Sequence, residues 1–173
     1  MIKRDILENR VKTAYLAVGS SLGNKNKNIE LTKIKLSNSK IKIIKCSSIY
    51  ESLSWPNPKN PTFFNIVLKV ETFLSAKRLL KRCLVIEKEL GRKRKRKNEP
   101  RVCDIDILDY DNKIIFDSGL KLTIPHSELH KRSFVLLPLF EISKNWIHPK
   151  KKIKITKMLN SLAITDLTTI KQI

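Results

Sequence analysis

Residues 101–108 read Arg-Val-Cys-Asp-Ile-Asp-Ile-Leu and set two carboxylates two positions apart in an otherwise apolar run. The apolar residues predict a β-strand over 102–108, and in a strand positions i and i+2 face the same way. Asp104 and Asp106 are therefore expected side by side, about 7 Å apart from the strand rise. Carboxylates held like this suit Mg²⁺, which takes one or two of them and completes its shell with water and substrate phosphates. Two such ions can clamp both ends of a phosphoryl displacement. Aspartate is a poor strand former, so folding alone gives little reason for the pair. An isolated Asp-x-Asp is more often a solubilising edge, so the flanking sequence has to decide.

Immediately upstream stand Arg92-Lys93-Arg94-Lys95-Arg96-Lys97, then Asn98-Glu99-Pro100-Arg101. Alone, such a run reads as a solvated basic loop, a localisation-type signal or an RNA contact. Beside an acidic pair it reads differently, because guanidinium forks match phosphate oxygens and a basic loop can close over a polyphosphate to exclude water. The combination points to phosphoryl transfer from a nucleotide.

The elements that must hold these groups are legible from periodicity. Residues 13–18 predict a buried strand ending at Gly19-Ser20-Ser21-Leu22-Gly23, with both glycines expected to serve the turn; neither the Walker spacing nor a dinucleotide fingerprint is present. A helix is predicted over 28–36 on a stripe of Ile29, Leu31, Ile34 and Leu36, and strands over 41–50 and 63–73, the latter with Phe64, Ile66, Leu68 and Val70 on one face. Three prolines make 52–61 a loop. Ser75 caps a helix that Gly91 closes. After the acidic strand, Asp111-Asn112 predicts a turn and 113–116 its hairpin partner, with further helices over 133–142 and 156–162. The order strand, helix, strand, strand, helix, strand is the split βαβ pattern. The expected fold is α+β, a ferredoxin-like sandwich with an antiparallel-rich sheet covered by helices.

Composition narrows the setting. With 173 residues the chain is expected to form one domain over 13–173 behind a short N-terminal extension, 1–12. No apolar run is long enough to span a bilayer, so no membrane partner is expected. Cys46, Cys83 and Cys103 form neither a disulfide framework nor a metal knuckle, and a reducing cytoplasm is expected. His126, His130 and His148 lack zinc spacing. A net charge of +20 draws polyanions without choosing among them.

The sequence resembles the 6-hydroxymethyl-7,8-dihydropterin pyrophosphokinase family over 13–162. The resemblance rests on Ala17-Val18-Gly19-Ser20-Ser21-Leu22-Gly23, Ser48-Ile49-Tyr50-Glu51-Ser52, Phe63-Phe64-Asn65, Val70-Glu71-Thr72 and residues 87–92. Pro100-Arg101 through Leu108, Leu122-Thr123-Ile124-Pro125-His126 and Arg132-x-Phe134-Val135-Leu136-x-Pro138-Leu139-x-Glu141-Ile142 complete it. It implies a cytoplasmic, monomeric enzyme of folate synthesis that transfers diphosphate from ATP to the pterin hydroxymethyl oxygen and releases AMP. By the same resemblance Asp104 and Asp106 bind two Mg²⁺ ions and Arg92 and Arg101 handle phosphates, with Arg94 assisting. Glu87, Ile107, Lys121, Leu122, Thr123, His126 and Arg132 match positions that contact ATP. Asn65 would hydrogen-bond the pterin between the rings of Phe63 and Phe134, with backbone groups of Ser52, Leu53 and Trp55 completing the pocket.

Strand geometry agrees, since Phe63 and Asn65 share a face, where a ring can stack on a flat ligand while the amide reads its edge. Taken alone, the two phenylalanines read as core and His126 as a loop histidine. Two other readings compete with the enzyme: a ferredoxin-like RNA-binding module, against which stands the missing RNP1 pattern, and a family member that has lost turnover. No nucleic-acid partner is expected.

Overall fold

Residue 12 starts a nine-residue strand, Lys12–Ser20 (β1), that is apolar on both faces and is accordingly buried on both. The computed structural model describes residues 10–54, 57–92 and 99–173; Trp55, Arg94 and the rest of the 93–98 run lie outside the described residues. Around β1 are Ile41–Cys46 (β2), Tyr50–Ser52 (β3), Phe63–Thr72 (β4), Asp104–Tyr110 (β5) and a two-residue C-terminal strand. That last strand, Lys171–Gln172, is β8, because Ile115–Asp117 (β6) and Leu122–Ile124 (β7) form a separate ribbon. The main sheet runs β5-β1-β4-β3-β8, with β2 also on β4, and its pairings are antiparallel.

Helices Lys25–Ser37 (α1) and Ala76–Glu89 (α2) cover one face, where Ile29, Leu36, Leu79, Cys83 and Ile86 meet Leu16, Ile66, Leu68 and Val70. This is the split βαβ arrangement that the element order predicts. Helix Ser133–Ile142 (α3) covers the other face, packing Val135, Leu136 and Leu139 on Val67 and Leu108, and Ile155–Asn160 (α4) leans on it. A short helix, Ile164–Thr168 (α5), leads to β8. A second helical layer is needed because β1 and β4 carry apolar residues on both sides; burying each such Leu or Ile is worth roughly 1.5–3 kcal/mol.

Several expectations need correction. The stripe of α1 is Ile29, Thr32 and Leu36, while Ile34 is 55% exposed. Thr32 is tolerated there because its hydroxyl bonds Asn28 O at 2.7 Å and meets Cys103 Sγ at 3.3 Å. The strand expected over 41–50 is broken at Ser47, whose Oγ accepts from Val67 N at 2.9 Å in place of a ladder bond. Gly23 serves the turn with φ +65, but Gly19 lies within β1. Asp111 and Asn112 do turn the chain, both at φ 54, yet residues 113–116 do not pair with β5. The outer edge of β5 is already bonded: Ile105 N donates to Glu87 Oε1 at 2.8 Å and Leu108 O accepts from His126 N at 3.0 Å. The chain therefore forms β6 against β7 instead.

Candidate active site

Register decides what faces what. Gly19 stands opposite Asp104 on β5 and opposite Asn65 on β4, and Ala17 stands opposite Asp106 and Val67. Residues level across neighbouring strands share a face, so the two aspartates and Asn65 all point toward α3 from either side of a floor of one glycine and one alanine. Ile105 and Ile107 alternate into the opposite core. The register shifts by one residue after Ile107, which lets Leu108 and Asp109 both serve the α3 side.

Above this floor the start of α3 brings Arg132, Phe134 and Val135, and the β3 and β4 ends bring Ser52, Leu53 and Phe63. With Arg101 they line a cleft whose empty space, open mouth included, is about 610 Å³. Phe63, from β4, and Phe134, from α3, both line it, each with a guanidinium over its ring: Arg101 at 5.1 Å from the Phe63 centroid and Arg132 at 5.8 Å from that of Phe134. Asn65 is buried, and its Nδ2 donates to Ser52 Oγ at 2.9 Å and Tyr50 O at 3.3 Å. That orientation turns Oδ1 toward Gly19 and the cleft.

The charges interlock. Asp104 is bridged by Arg92 on one oxygen and Arg101 on the other. Asp106 accepts from Arg132 Nη1 at 3.1 Å and faces His126 Nε2 at 3.6 Å. Burial would raise the Asp104 carboxyl, but Arg101 and Arg92 outweigh it and hold the group below the usual carboxylate range. Burial likewise works against the charge on Arg92, and Asp104 and Glu87 overcome it. His126 is lowered, by burial first and Arg132 second, against the pull of Asp106. Its Nδ1 accepts from Glu128 N at 3.2 Å, which assigns the proton of the neutral ring to Nε2, beside Asp106.

Arg92 is aimed by the end of α2. Gly91, at φ +92, closes the helix with Gly91 N on Lys88 O and Arg92 N on Glu87 O, both at 3.0 Å, the paired bonds of a left-handed cap. Glu87, buried, then holds Arg92 Nη1 at 2.5 Å.

The cleft thus brings together Ser52, Leu53, Phe63, Asn65, Arg101, Asp104, Asp106, Arg132 and Phe134, with Arg92, Glu87 and His126 one contact behind. Ile107 and Leu122 bury their side chains in the core, which leaves their main chain to meet a ligand. Lys121, at φ 51, and Thr123 are exposed on the β6–β7 ribbon rather than in the cleft lining. Ala17 and Gly19 are cleft residues that sequence reasoning missed. They stand in a motif that carries the resemblance, but their place in the cleft follows from the register of β1 with its two neighbours.

A family model described as 7,8-dihydro-6-hydroxymethylpterin-pyrophosphokinase matches residues 15–144. A 2-amino-4-hydroxy-6-hydroxymethyldihydropteridine pyrophosphokinase from Aquifex aeolicus is 41% identical over 152 residues, covering 87% of this chain and 93% of the relative. Its namesake from Haemophilus influenzae is 38% identical with the same coverage. The folic acid synthesis protein fol1 of Pneumocystis carinii is 38% identical over 90% of this chain, which spans only 21% of that longer protein. Among solved structures, Plasmodium falciparum HPPK-DHPS with pteroate aligns at TM-score 0.72 and 16% identity, over 95% of this chain and 46% of the other, a likeness of fold. Motifs, fold and the 130-residue family match agree: this chain belongs to the 7,8-dihydro-6-hydroxymethylpterin-pyrophosphokinase family.

Proposed function

We propose that the protein transfers diphosphate from Mg-ATP to the hydroxymethyl oxygen of 6-hydroxymethyl-7,8-dihydropterin and releases AMP, in folate biosynthesis. The observation that carries this reading is the cleft in which Asp104 and Asp106 face Asn65 across a floor of Gly19 and Ala17, a cleft that Phe63 and Phe134 also line. The flat heterocycle lies between Phe63 and Phe134, its edge read by Asn65 Oδ1 and by backbone groups of Ser52, Leu53 and Trp55. The triphosphate lies along β5.

Asp104 and Asp106 fit Mg²⁺ by their chemistry: hard carboxylate oxygens on one strand face, with phosphates left to complete the shell. Two ions are proposed there, and bound Mg²⁺ would neutralise and orient the phosphates. Arg92, Arg101 and Arg132 now neutralise the carboxylates, so ligand binding exchanges partners: the acids pass to the metal and the guanidinium groups to phosphate oxygens. Arg101 Nε is buried without a hydrogen-bond partner, a donor ready for an anion. Glu87 keeps Arg92 aimed, Arg94 assists, and Ile107, Lys121, Leu122, Thr123 and His126 contact the nucleotide, the first and third of these through their main chain.

The pterin hydroxyl oxygen attacks the β-phosphorus in line and loses its proton to solvent, while the bond from the β-phosphorus to the α–β bridging oxygen breaks and that oxygen departs with AMP. Positioning and charge stabilisation supply the acceleration, so no covalent intermediate is needed. The RNA-binding alternative is not favoured, because the aromatic pair lines an acid-bearing cleft. We also place the enzyme in the cytoplasm as a monomer, in keeping with its free thiols at Cys46, Cys83 and Cys103. Nucleotide analysis tests the activity: AMP should appear from Mg-ATP only when the hydroxymethyl pterin is present. ADP as the product, or AMP at the same rate without pterin, refutes it.

A further inference from the structure

Glu141 lies outside the cleft, in the last turn of α3, seven residues after Phe134. Seven residues are two turns, so both side chains project from one face of the helix, about 10 Å apart along its axis. Phe134 meets the cleft, and Glu141 meets the chain that enters β3. Its carboxylate takes Ser48 N at 3.0 and 3.1 Å, Ser48 Oγ at 2.9 Å and Tyr50 Oη at 2.9 Å. The same Ser48 hydroxyl accepts from Gln172 Nε2 at 3.0 Å, and Ile173 N donates to Ile49 O at 2.9 Å, so the C-terminal strand ties down the same segment.

From Tyr50 the connection runs straight into the cleft. Tyr50 stands opposite Asn65 in the β3–β4 ladder, and Asn65 Nδ2 donates to Tyr50 O and to Ser52 Oγ. One wall of the heterocycle pocket is therefore on α3 and the other on β3 and β4, and Glu141 is the residue of α3 that grips β3 by charge-assisted bonds. Tyr50 is 8% exposed, and burial followed by its bond to Glu141 pushes its hydroxyl up to about 12, as expected of a phenol that stays a donor to that carboxylate.

We propose that Glu141 is a positioning residue for the proposed reaction: it fixes the distance between the Phe134 wall and the Asn65 wall and so sets the affinity of the flat substrate without touching it. Stacking and amide recognition both depend on sub-ångström spacing, whereas the triphosphate track on β5 is held by Glu87 and β1 and meets α3 through Arg132 at its start, which Asp106 on β5 also holds. The effect of losing Glu141 should therefore fall chiefly on the pterin, with the nucleotide much less affected.

The inference rests on the pterin lying in this cleft, so its test has an arm independent of turnover. Glu141→Ala, Glu141→Gln and Tyr50→Phe are compared with wild type by steady-state kinetics well below each Tm and by amide hydrogen exchange. Glu141→Ala should raise KM for the pterin on the order of 10-fold, with KM for Mg-ATP and kcat within about twofold. Glu141→Gln, which keeps one acceptor oxygen, should recover part of the loss, and adding Tyr50→Phe to Glu141→Ala should cost less than Tyr50→Phe alone. Exchange should quicken at residues 50–53 and 65 and stay unchanged at 104–108. A pterin KM within twofold of wild type, equal rises in both KM values, or exchange quickened throughout the sheet overturns the proposal. If wild type makes no pterin-dependent AMP, the functional reading falls and takes the affinity claim with it; the exchange pattern then still judges the link from Glu141 to Asn65.

Discussion

Replacing Gly19 by alanine adds one methyl group at the centre of the cleft floor, where stability and ligand affinity should part company. The new Cβ would sit 3.3 Å from Asn65 Oδ1, 3.5 Å from Phe63 Cδ1 and 3.9 Å from Asp104 Cβ. Gly19 has no positive φ and β1 is paired on both sides, so the backbone accepts alanine where it stands. Only the contact with Asn65 is tight, and a shift of a few tenths of an ångström relieves it. The reduced freedom of the unfolded chain offsets this by about 0.4–1 kcal/mol, so the urea midpoint should hardly move. The ligand has less latitude, because Asn65 Oδ1 is the atom meant to read its edge and the methyl occupies the space beneath it. An overpacking cost of about 1–3 kcal/mol corresponds to a loss of roughly 5- to 150-fold in pterin affinity. Pterin binding by fluorescence and urea unfolding, run on the same preparation, give both numbers. Unchanged affinity, or an affinity loss matched by a large loss of stability, would refute the placement of the pterin on this floor.

Other predictions concern titration. All three tyrosines ionise late: burial raises Tyr15, and pushes Tyr50 and Tyr110 up to about 12. Folded protein then holds protons that unfolded chain releases near 10, so stability should fall as pH climbs from about 10 to 12. Urea midpoints across that range check the sign, and absorbance titration should show the phenols of the folded protein ionising at higher pH than those of the unfolded chain. Asp109 is raised by burial and accepts from Trp146 Nε1 at 2.8 Å. Because the folded state favours its protonated form, its ionisation costs stability as pH rises through the raised value. Asp109→Asn keeps an acceptor for Trp146, so its stability relative to wild type should be higher at pH 7 than at pH 4; urea midpoints showing the reverse trend would contradict the assignment.

Much of this site is written in local pattern. Asp104 and Asp106 alternate with isoleucines, so their shared face follows from the strand period, and Ser75 and Gly91 mark the ends of α2 by side-chain capping and a left-handed residue. What escapes local pattern depends on partners distant in sequence. Residues 113–116 have the turn chemistry of a hairpin, yet the edge they would join is occupied by Glu87 and His126. Thr32 replaces an apolar residue in the α1 stripe because Cys103, 71 positions away, meets its hydroxyl. Gly19 and Ala17 become a binding surface only through the register of β1 with β4 and β5, and Glu141 gains its role from a contact 93 residues back at Ser48.

The claim on which the rest depends is that Asp104 and Asp106 hold the metal that presents ATP. The most direct test is the rate of pterin-dependent AMP release against Mg²⁺ concentration, in wild type and in Asp106→Asn. The carboxamide preserves shape and the strand but forfeits the charge, so the rate should drop by about 10²–10³-fold or more and the Mg²⁺ requirement should move to higher concentration, with the urea midpoint little changed. A variant that turns over near the wild-type rate with the same Mg²⁺ dependence would contradict the account.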